Sequence, residues 1–263
     1  MTTRAALLIE YHGGGFVGWQ SQDQGLAVQD VLEAAAARLT GGAPVATAVA
    51  GRTDAGVHAE GQVALLVLPR PFPLDRLAEA LNFHLRPHAV AVRRAAAAAE
   101  GWHPRFSATG RAYRYRILNR RPRPALLAGQ VWHVAHPLDA GAMAAAAASL
   151  LGRHDFSAFR AAACQAKSAL RTLDRLEVVR AGDLIEIVAE ARSFLHHQVR
   201  NMVGTLRLVG DGHWPVAQVA EVLAGRDRRR AGPTAPPEGL CLTEVRYAAD
   251  PFAAAGEDGA TKV

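Results

Sequence analysis

Apolar positions along the 263-residue chain fall into alternating strand-like and helix-like segments. Residues 4–11 alternate in the pattern of a half-buried strand and run into the turn Gly13-Gly14-Gly15. Residues 27–39 set Val28, Val31, Leu32, Ala35 and Leu39 at helical spacing, and Gly41-Gly42 ends that helix. A second strand over 44–50 delivers a polar loop at 51–58. A third strand over 62–68 is closed by Pro69, a helix spans 74–85, and a fourth strand covers 88–94. This β-α-β-β-α-β order is the split ferredoxin-like arrangement.

The second half repeats the order of elements without repeating the sequence. Residues 111–118 form a strand with Tyr113, Tyr115 and Ile117 on one face and arginines largely on the other. An alanine-rich helix over 137–151 ends at Gly152, and strands 171–180 and 184–191 make a hairpin across Ala181-Gly182-Asp183. Helices over 193–209 and 216–223 and a last strand over 242–247 follow. The expected fold is therefore α/β (α+β) with an N-terminal ferredoxin-like domain at 1–100 and a C-terminal one at 105–250. Residues 251–263 read as a flexible tail. The basic, Gly/Pro-rich stretch 226–238 reads as a loop free to stay disordered until a ligand binds.

Half of the residues are hydrophobic and 21% are charged, the profile of a soluble globular protein. No run approaches the roughly 18 apolar residues that span a bilayer. Residues 1–4 lead directly into the first strand without a signal peptide's apolar stretch, so a cytoplasmic protein with no membrane association is expected. Cys164 and Cys241 match no metal-ligand spacing and read as reduced thiols.

The net charge of +6 matters less than its distribution. From Arg105 to Arg123 there are seven arginines and no acid, with Phe106, Tyr113 and Tyr115 among them. Such a stripe attracts polyanions and offers rings on which bases stack. The bland alternative stands beside it: Lys167 and Lys262 are the only lysines, so arginine is this chain's usual cation and the stripe can be solvated surface.

Three segments carry candidate chemistry. Gly51-Arg52-Thr53-Asp54-Ala55-Gly56-Val57-His58 packs polar groups between glycines directly after an apolar strand. Glycines permit sharp turns and close approach to a ligand, and a neighbouring arginine favours a charged carboxylate, although Asp-Ala-Gly is also ordinary turn chemistry. In 193–204, helical spacing would put His196 with Arg200 and His197 with Asn201 on shared faces. Adjacent histidines on a helix diverge by about 100°, which argues against a joint metal site, and Arg200 fits better as partner of a carboxylate or phosphate. Gly13-Gly14-Gly15 lacks the Gly-Lys-Ser/Thr ending and following helix of a phosphate loop.

In their order these segments resemble the bacterial tRNA pseudouridine synthase A (TruA) family. The matching pieces are Glu10-Tyr11, Gly18-Trp19-Gln20, Ala50 through His58, Gly61-Gln62-Val63, Phe106-Ser107-Ala108-Thr109 and Tyr113-Arg114-Tyr115. Asp155-Phe156, Val199-Arg200-Asn201, Glu238-Gly239-Leu240 and Leu242 complete the set, from residue 7 to about 247. One departure is His12, where relatives carry Asp after the Tyr.

The resemblance implies two ferredoxin-like domains whose sheets join, an active cleft between them, and a homodimer gripping tRNA. It further implies isomerisation of uridine to pseudouridine at positions 38, 39 and 40 of the anticodon stem-loop, without metal or organic cofactor. Asp54 would be the essential nucleophile or base, Arg200 its ion-pair partner, and Tyr113 the ring against the flipped base with a hydroxyl able to help remove the C5 proton. Arg52 would engage RNA, with Arg111, Arg114, Arg116 and His58 as further contacts. Two rival readings remain at this level: a non-catalytic RNA-binding module on the same fold, and a carboxylate-dependent hydrolase.

Overall fold

The computed structural model describes residues 2–253. Its first elements are β1 (Thr3–Tyr11), α1 (Val28–Leu39), β2 (Thr47–Val49), β3 (His58–Leu68), α2 (Leu74–Leu85) and β4 (Val90–Ala97). They are followed by β5 (Ala108–Asn119), β6 (Trp132–Val134), α3 (Ala140–Ala147), β7 (Gly152–Asp155), β8 (Leu170–Ala181) and β9 (Leu184–Ala191). Helices α4 (Gln198–Gly210) and α5 (Gln218–Gly225) and strand β10 (Leu240–Tyr247) complete the order. The fold is mixed α/β with mostly antiparallel strands. It divides into two compact units: residues up to Thr109 together with those from Leu242, and Gly110–Cys241.

The first unit has the expected β-α-β-β-α-β order, with strands β4-β1-β3-β10 side by side and β2 paired to β3. Helices α1 and α2 bury Val28, Val31, Leu32, Ala35, Leu77, Leu81 and Leu85, while Leu7 and Ile9 of β1 are fully buried. The pattern of β1 is not that of a half-buried strand, because Ala5, Ala6 and Leu7 are all inaccessible. A second core on the opposite face joins Ala6, Val63 and Leu65 to Ala98 and Phe252, flanked by Trp102 and Tyr247. Burial on both faces is what the near-continuous apolar run of β3 requires. Gly61 shows how closely β10 approaches β3: a Cβ there would meet the backbone of Thr243. The strand 240–247 thus returns to the first unit from the far end of the chain. Phe252, in the stretch expected to be a tail, is buried; residues 254–263 lie outside the described ones.

In the second unit the strand order is β5-β9-β8-β7, with β6 parallel to β5. Strand β9 alternates strictly, burying Ile185, Ile187, Ala189 and Ala191. Met143, Ala146 and Ala147 of α3 and Met202, Val203 and Leu206 of α4 are also buried. The helix expected over 137–151 is shorter, since it starts only after Asp139, whose side chain accepts from the Ala142 N–H at 2.9 Å. Strands β6 and β7, three and four residues long, escape a periodicity reading.

Two expectations for this unit are corrected. The helix expected from 193 begins at Gln198, because His197 takes a left-handed conformation with φ of 61°. The stretch 226–238 is not a free loop. It makes short 3-10 turns at Arg228–Arg230 and Pro237–Gly239 and lies against α4. Arg228 donates to the Gly232 carbonyl at 2.8 Å, and the Gly232 N–H donates to Thr205 Oγ1 at 3.0 Å. No helix among the described residues is long and apolar enough to cross a membrane.

Candidate active site

The loop Gly51–His58 joins β2 to β3 in the first unit, and its backbone is held from three directions. From β3, the fully buried Gln62 donates its side-chain amide to the Gly51 carbonyl at 2.8 Å and to the Tyr11 hydroxyl at 3.3 Å. That hydroxyl lies 2.7 Å from Thr53 Oγ1. The amide, the phenol and the Thr53 hydroxyl thus form one connected chain. From the glycine-rich segment after β1, the Trp19 N–H donates to the Thr53 carbonyl at 3.1 Å and the Gly56 N–H to the Phe16 carbonyl at 3.3 Å. Within the loop, the Val57 N–H donates to the Asp54 carbonyl at 3.1 Å and closes a turn.

Two glycines outside the loop are required by this packing. A Cβ on Gly18 would lie 2.6 Å from the Thr53 carbonyl oxygen, and φ there is 107°. A Cβ on Gly13 would sit 2.8 Å from the Gly56 carbonyl carbon and closer still to the Val57 carbonyl. Gly13 and Gly18 therefore form a bed for the Asp54 loop. The Gly13 N–H also donates to His58 Nδ1 at 3.0 Å, which fixes that nitrogen as an acceptor. His12 packs its ring 4.4 Å from that of the buried His58, so the departure from the family pattern falls beside the loop.

The outcome is a carboxylate, Asp54, partly accessible on a turn whose preceding Thr53 and following Val57 and His58 are buried. A carboxylate fixed in this way can act as nucleophile or as general base. Arg52 beside it is exposed. Sequence reading singled out the loop but gave no role to Tyr11, Thr53 or Gln62. Their only signal was position, Thr53 within the loop and Tyr11 and Gln62 in short motifs on either side of it.

Gln62→Leu keeps a side chain of comparable volume but removes the donor to the Gly51 carbonyl and to the Tyr11 hydroxyl. It is expected to cost about 1–3 kcal/mol of unfolding free energy. Urea unfolding checks this; a stability equal to wild type would show that the side-chain chain does not hold the loop.

In the second unit, Tyr113 on β5 is partly accessible and meets Phe194 edge-on, with ring centroids 5.2 Å apart. Tyr115 is different. It is fully buried, donates its hydroxyl to the Pro236 carbonyl at 2.8 Å, and leaves no room for a Cβ on Gly239. Burial, with Glu238 adding to it, pushes the Tyr115 hydroxyl far above the usual phenol range, so it stays a donor. Of the three rings expected to be open to stacking, Tyr115 is not; Tyr113 is partly accessible, and Phe106, in the first unit, is exposed.

The arginines of the stripe differ equally. Arg111 is buried and donates to the Arg192 carbonyl at 2.7 Å. Arg114 lies 3.9 Å from Glu186, and Arg120 pairs with Asp183 at 3.2 Å. Arg116 donates to Gln130 at 3.4 Å. Arg200 stands in the first turn of α4 and donates its Nε–H to the Ala235 carbonyl at 2.8 Å. His196 and His197 precede that helix with rings 4.0 Å apart, so the argument from helical divergence does not apply to them.

The family described as tRNA pseudouridine synthase matches residues 7–107 and 146–248, which take in the whole Asp54 loop, its anchors, and Arg200. A relative named tRNA pseudouridine synthase A from Acidiphilium cryptum (strain JF-5) is 66% identical over 250 residues, covering 95% of this chain and 98% of the relative. The proteins of that name from Gluconobacter oxydans (strain 621H) and Paramagnetospirillum magneticum (strain ATCC 700264 / AMB-1) are 53% and 58% identical. They cover 95% and 94% of this chain, and 91% and 96% of their own lengths. With matches this extensive, the chain belongs to the tRNA pseudouridine synthase family.

Proposed function

We propose that the chain isomerises uridine to pseudouridine in tRNA, at positions 38, 39 and 40 of the anticodon stem-loop, with the Asp54 carboxylate as the acting group. The observation that carries this reading is the loop itself. Buried side chains and close glycines are devoted to fixing the backbone on either side of one accessible carboxylate. A passive RNA-binding surface has no use for that investment in geometry.

The reaction breaks the bond from C1′ to N1 of the uridine, turns the base, and joins C1′ to C5, whose proton leaves while the freed N1 takes one up. Nothing is oxidised or added, so the balance needs no redox partner. The uridine must first leave its stack, at a cost of a few kcal/mol offset by contacts to phosphate and pocket. Asp54 then attacks the ribose or takes a proton from it; either role needs the carboxylate. In this reading Arg200 pairs with Asp54, Tyr113 lies against the flipped base, and Arg52 engages the RNA from the loop. Arg111, Arg114, Arg116 and His58 are further contact candidates. Among them Arg114 and Arg116, partly accessible, suit direct contact better than the buried Arg111 and His58. The enzyme works as a cytoplasmic homodimer.

Release of tritium from tRNA carrying C5-labelled uridine tests the reading, with pseudouridine mapped in the product. Loss of free uracil in place of isomerisation would make the chain a hydrolase, and binding without release a passive module. Tyr113→Phe keeps the edge contact with Phe194 and removes only the hydroxyl. It is expected to lower kcat about 100-fold, the lower end of general acid–base contributions, with tRNA affinity kept. An unchanged rate would remove the hydroxyl from proton transfer.

A further inference from the structure

A concavity of about 230 Å³ on the second unit is lined by Arg153, Leu170, Arg171, Thr172, Arg192 and Ser193. The register explains why these side chains converge. Arg153 of β7 stands opposite Thr172 of β8, and Leu173 stands opposite Ala191, the last residue of β9. Leu173 and Ala191 are buried, so Thr172 and Arg192 turn to the other, exposed face. Arg153 is exposed as well. Two guanidiniums thus flank a hydroxyl across neighbouring strands, with Ser193 following Arg192.

Arg171 supplies the third guanidinium. Its Nη1 donates to the carbonyls of Ser168 at 3.0 Å and Leu170 at 2.6 Å. Its Nε is buried and has no hydrogen-bond partner among the described residues. Partial burial lowers its pKa, a sign that the charge lacks solvation.

None of the three arginines lies in an ion pair among the described residues. Elsewhere on this sheet the contrast is plain: Arg175 is matched by Glu177 and by Glu190 at 2.9 Å. Like charges gathered round a hollow repel one another unless an anion sits among them. Guanidinium forks together with hydroxyl donors fit the tetrahedral oxygens of a phosphate, and the exposed Leu170 offers an apolar wall for a sugar.

We propose that this hollow is a seat for a backbone phosphate of the bound RNA, separate from the Arg105–Arg123 stripe. The inference rests on the tRNA-directed reading above. It assigns affinity, not chemistry, to Arg153, Arg171 and Arg192.

The test measures binding of an unmodified tRNA transcript to the full chain over a range of salt concentrations. Arg153→Gln with Arg192→Gln, both at exposed positions, is expected to weaken binding roughly 3- to 30-fold near 0.1 M salt and to reduce the salt slope by about 1. Each single variant should give part of that change. Arg175→Gln removes one formal charge, as each single variant does, from an already matched site and should leave the slope as in wild type. An unchanged slope in the double variant, from a wild-type chain that makes pseudouridine, overturns the seat alone. Failure of the wild-type chain to make pseudouridine in tRNA overturns the reading beneath it.

Discussion

Asp54→Asn is expected to abolish tritium release from C5-labelled tRNA, lowering the rate about a thousandfold or more, while tRNA binds with wild-type affinity. The substitution keeps the shape of the side chain and removes its charge and its nucleophilic oxygen. The loop is also held by bonds that use other groups. Tyr11 reaches Thr53, Gln62 reaches Gly51, and the turn to Val57 uses the backbone carbonyl of Asp54. Those bonds keep the folded loop in the variant, and its thermal unfolding separates a chemical loss from a folding defect. Gel-shift affinity and thermal unfolding, measured beside the tritium assay, check both halves. Full activity in the variant would take the chemistry away from this loop.

The loop was legible in the sequence because its information is local: glycines, a carboxylate and an arginine within eight positions after an apolar strand. Its anchors were not, since Tyr11 and Thr53 are 42 residues apart and Tyr11 and Gln62 are 51 apart. Short motifs flagged those positions without saying that they touch. The β-α-β-β-α-β order of the first unit was readable, yet β1 looked half-buried because alanines at 5 and 6 disguise a strand covered on both faces. Tyr113 and Tyr115 share a strand face and look equivalent. What buries Tyr115 is the segment at Pro236, 121 residues away, whose carbonyl takes its hydroxyl. The acid-free stripe was equally a local view. Glu186 and Asp183 reach Arg114 and Arg120 from other parts of the chain, and only the paired strands bring them there. The left-handed His197, which sets the start of α4, leaves no mark in apolar spacing.

Gly204→Ala should destabilise the chain by about 3 kcal/mol or more, reversing the usual sign for a glycine inside a helix. Helix propensity alone favours alanine by about 1 kcal/mol. Here the opposing term is larger. Gly204 lies buried in α4, and a Cβ would run into the Pro233 carbonyl oxygen while standing 2.9 Å from its carbon and 3.2 Å from the Ala235 nitrogen. All three are backbone atoms, so no side chain can swing aside. Nor can the segment retreat freely. Gly232 is pressed as tightly, with its own virtual Cβ 2.7 Å from the Thr205 Cα, and its N–H is bonded to Thr205 Oγ1. The same segment exchanges two bonds with Arg200, from the Ala235 N–H to the Arg200 carbonyl at 3.1 Å and from Arg200 Nε to the Ala235 carbonyl at 2.8 Å. Pushing it outward therefore moves the arginine proposed to pair with Asp54, and activity should fall in the fraction that stays folded. Thermal unfolding should show a midpoint lower by about 6–12 °C for a chain of this size. Gly51→Ala is the control for stability, since a Cβ there meets nothing within 4 Å, and its midpoint should stay close to wild type. A Gly204→Ala chain as stable as that control would mean that the 232–235 segment yields, and that Arg200 owes its position to α4 alone.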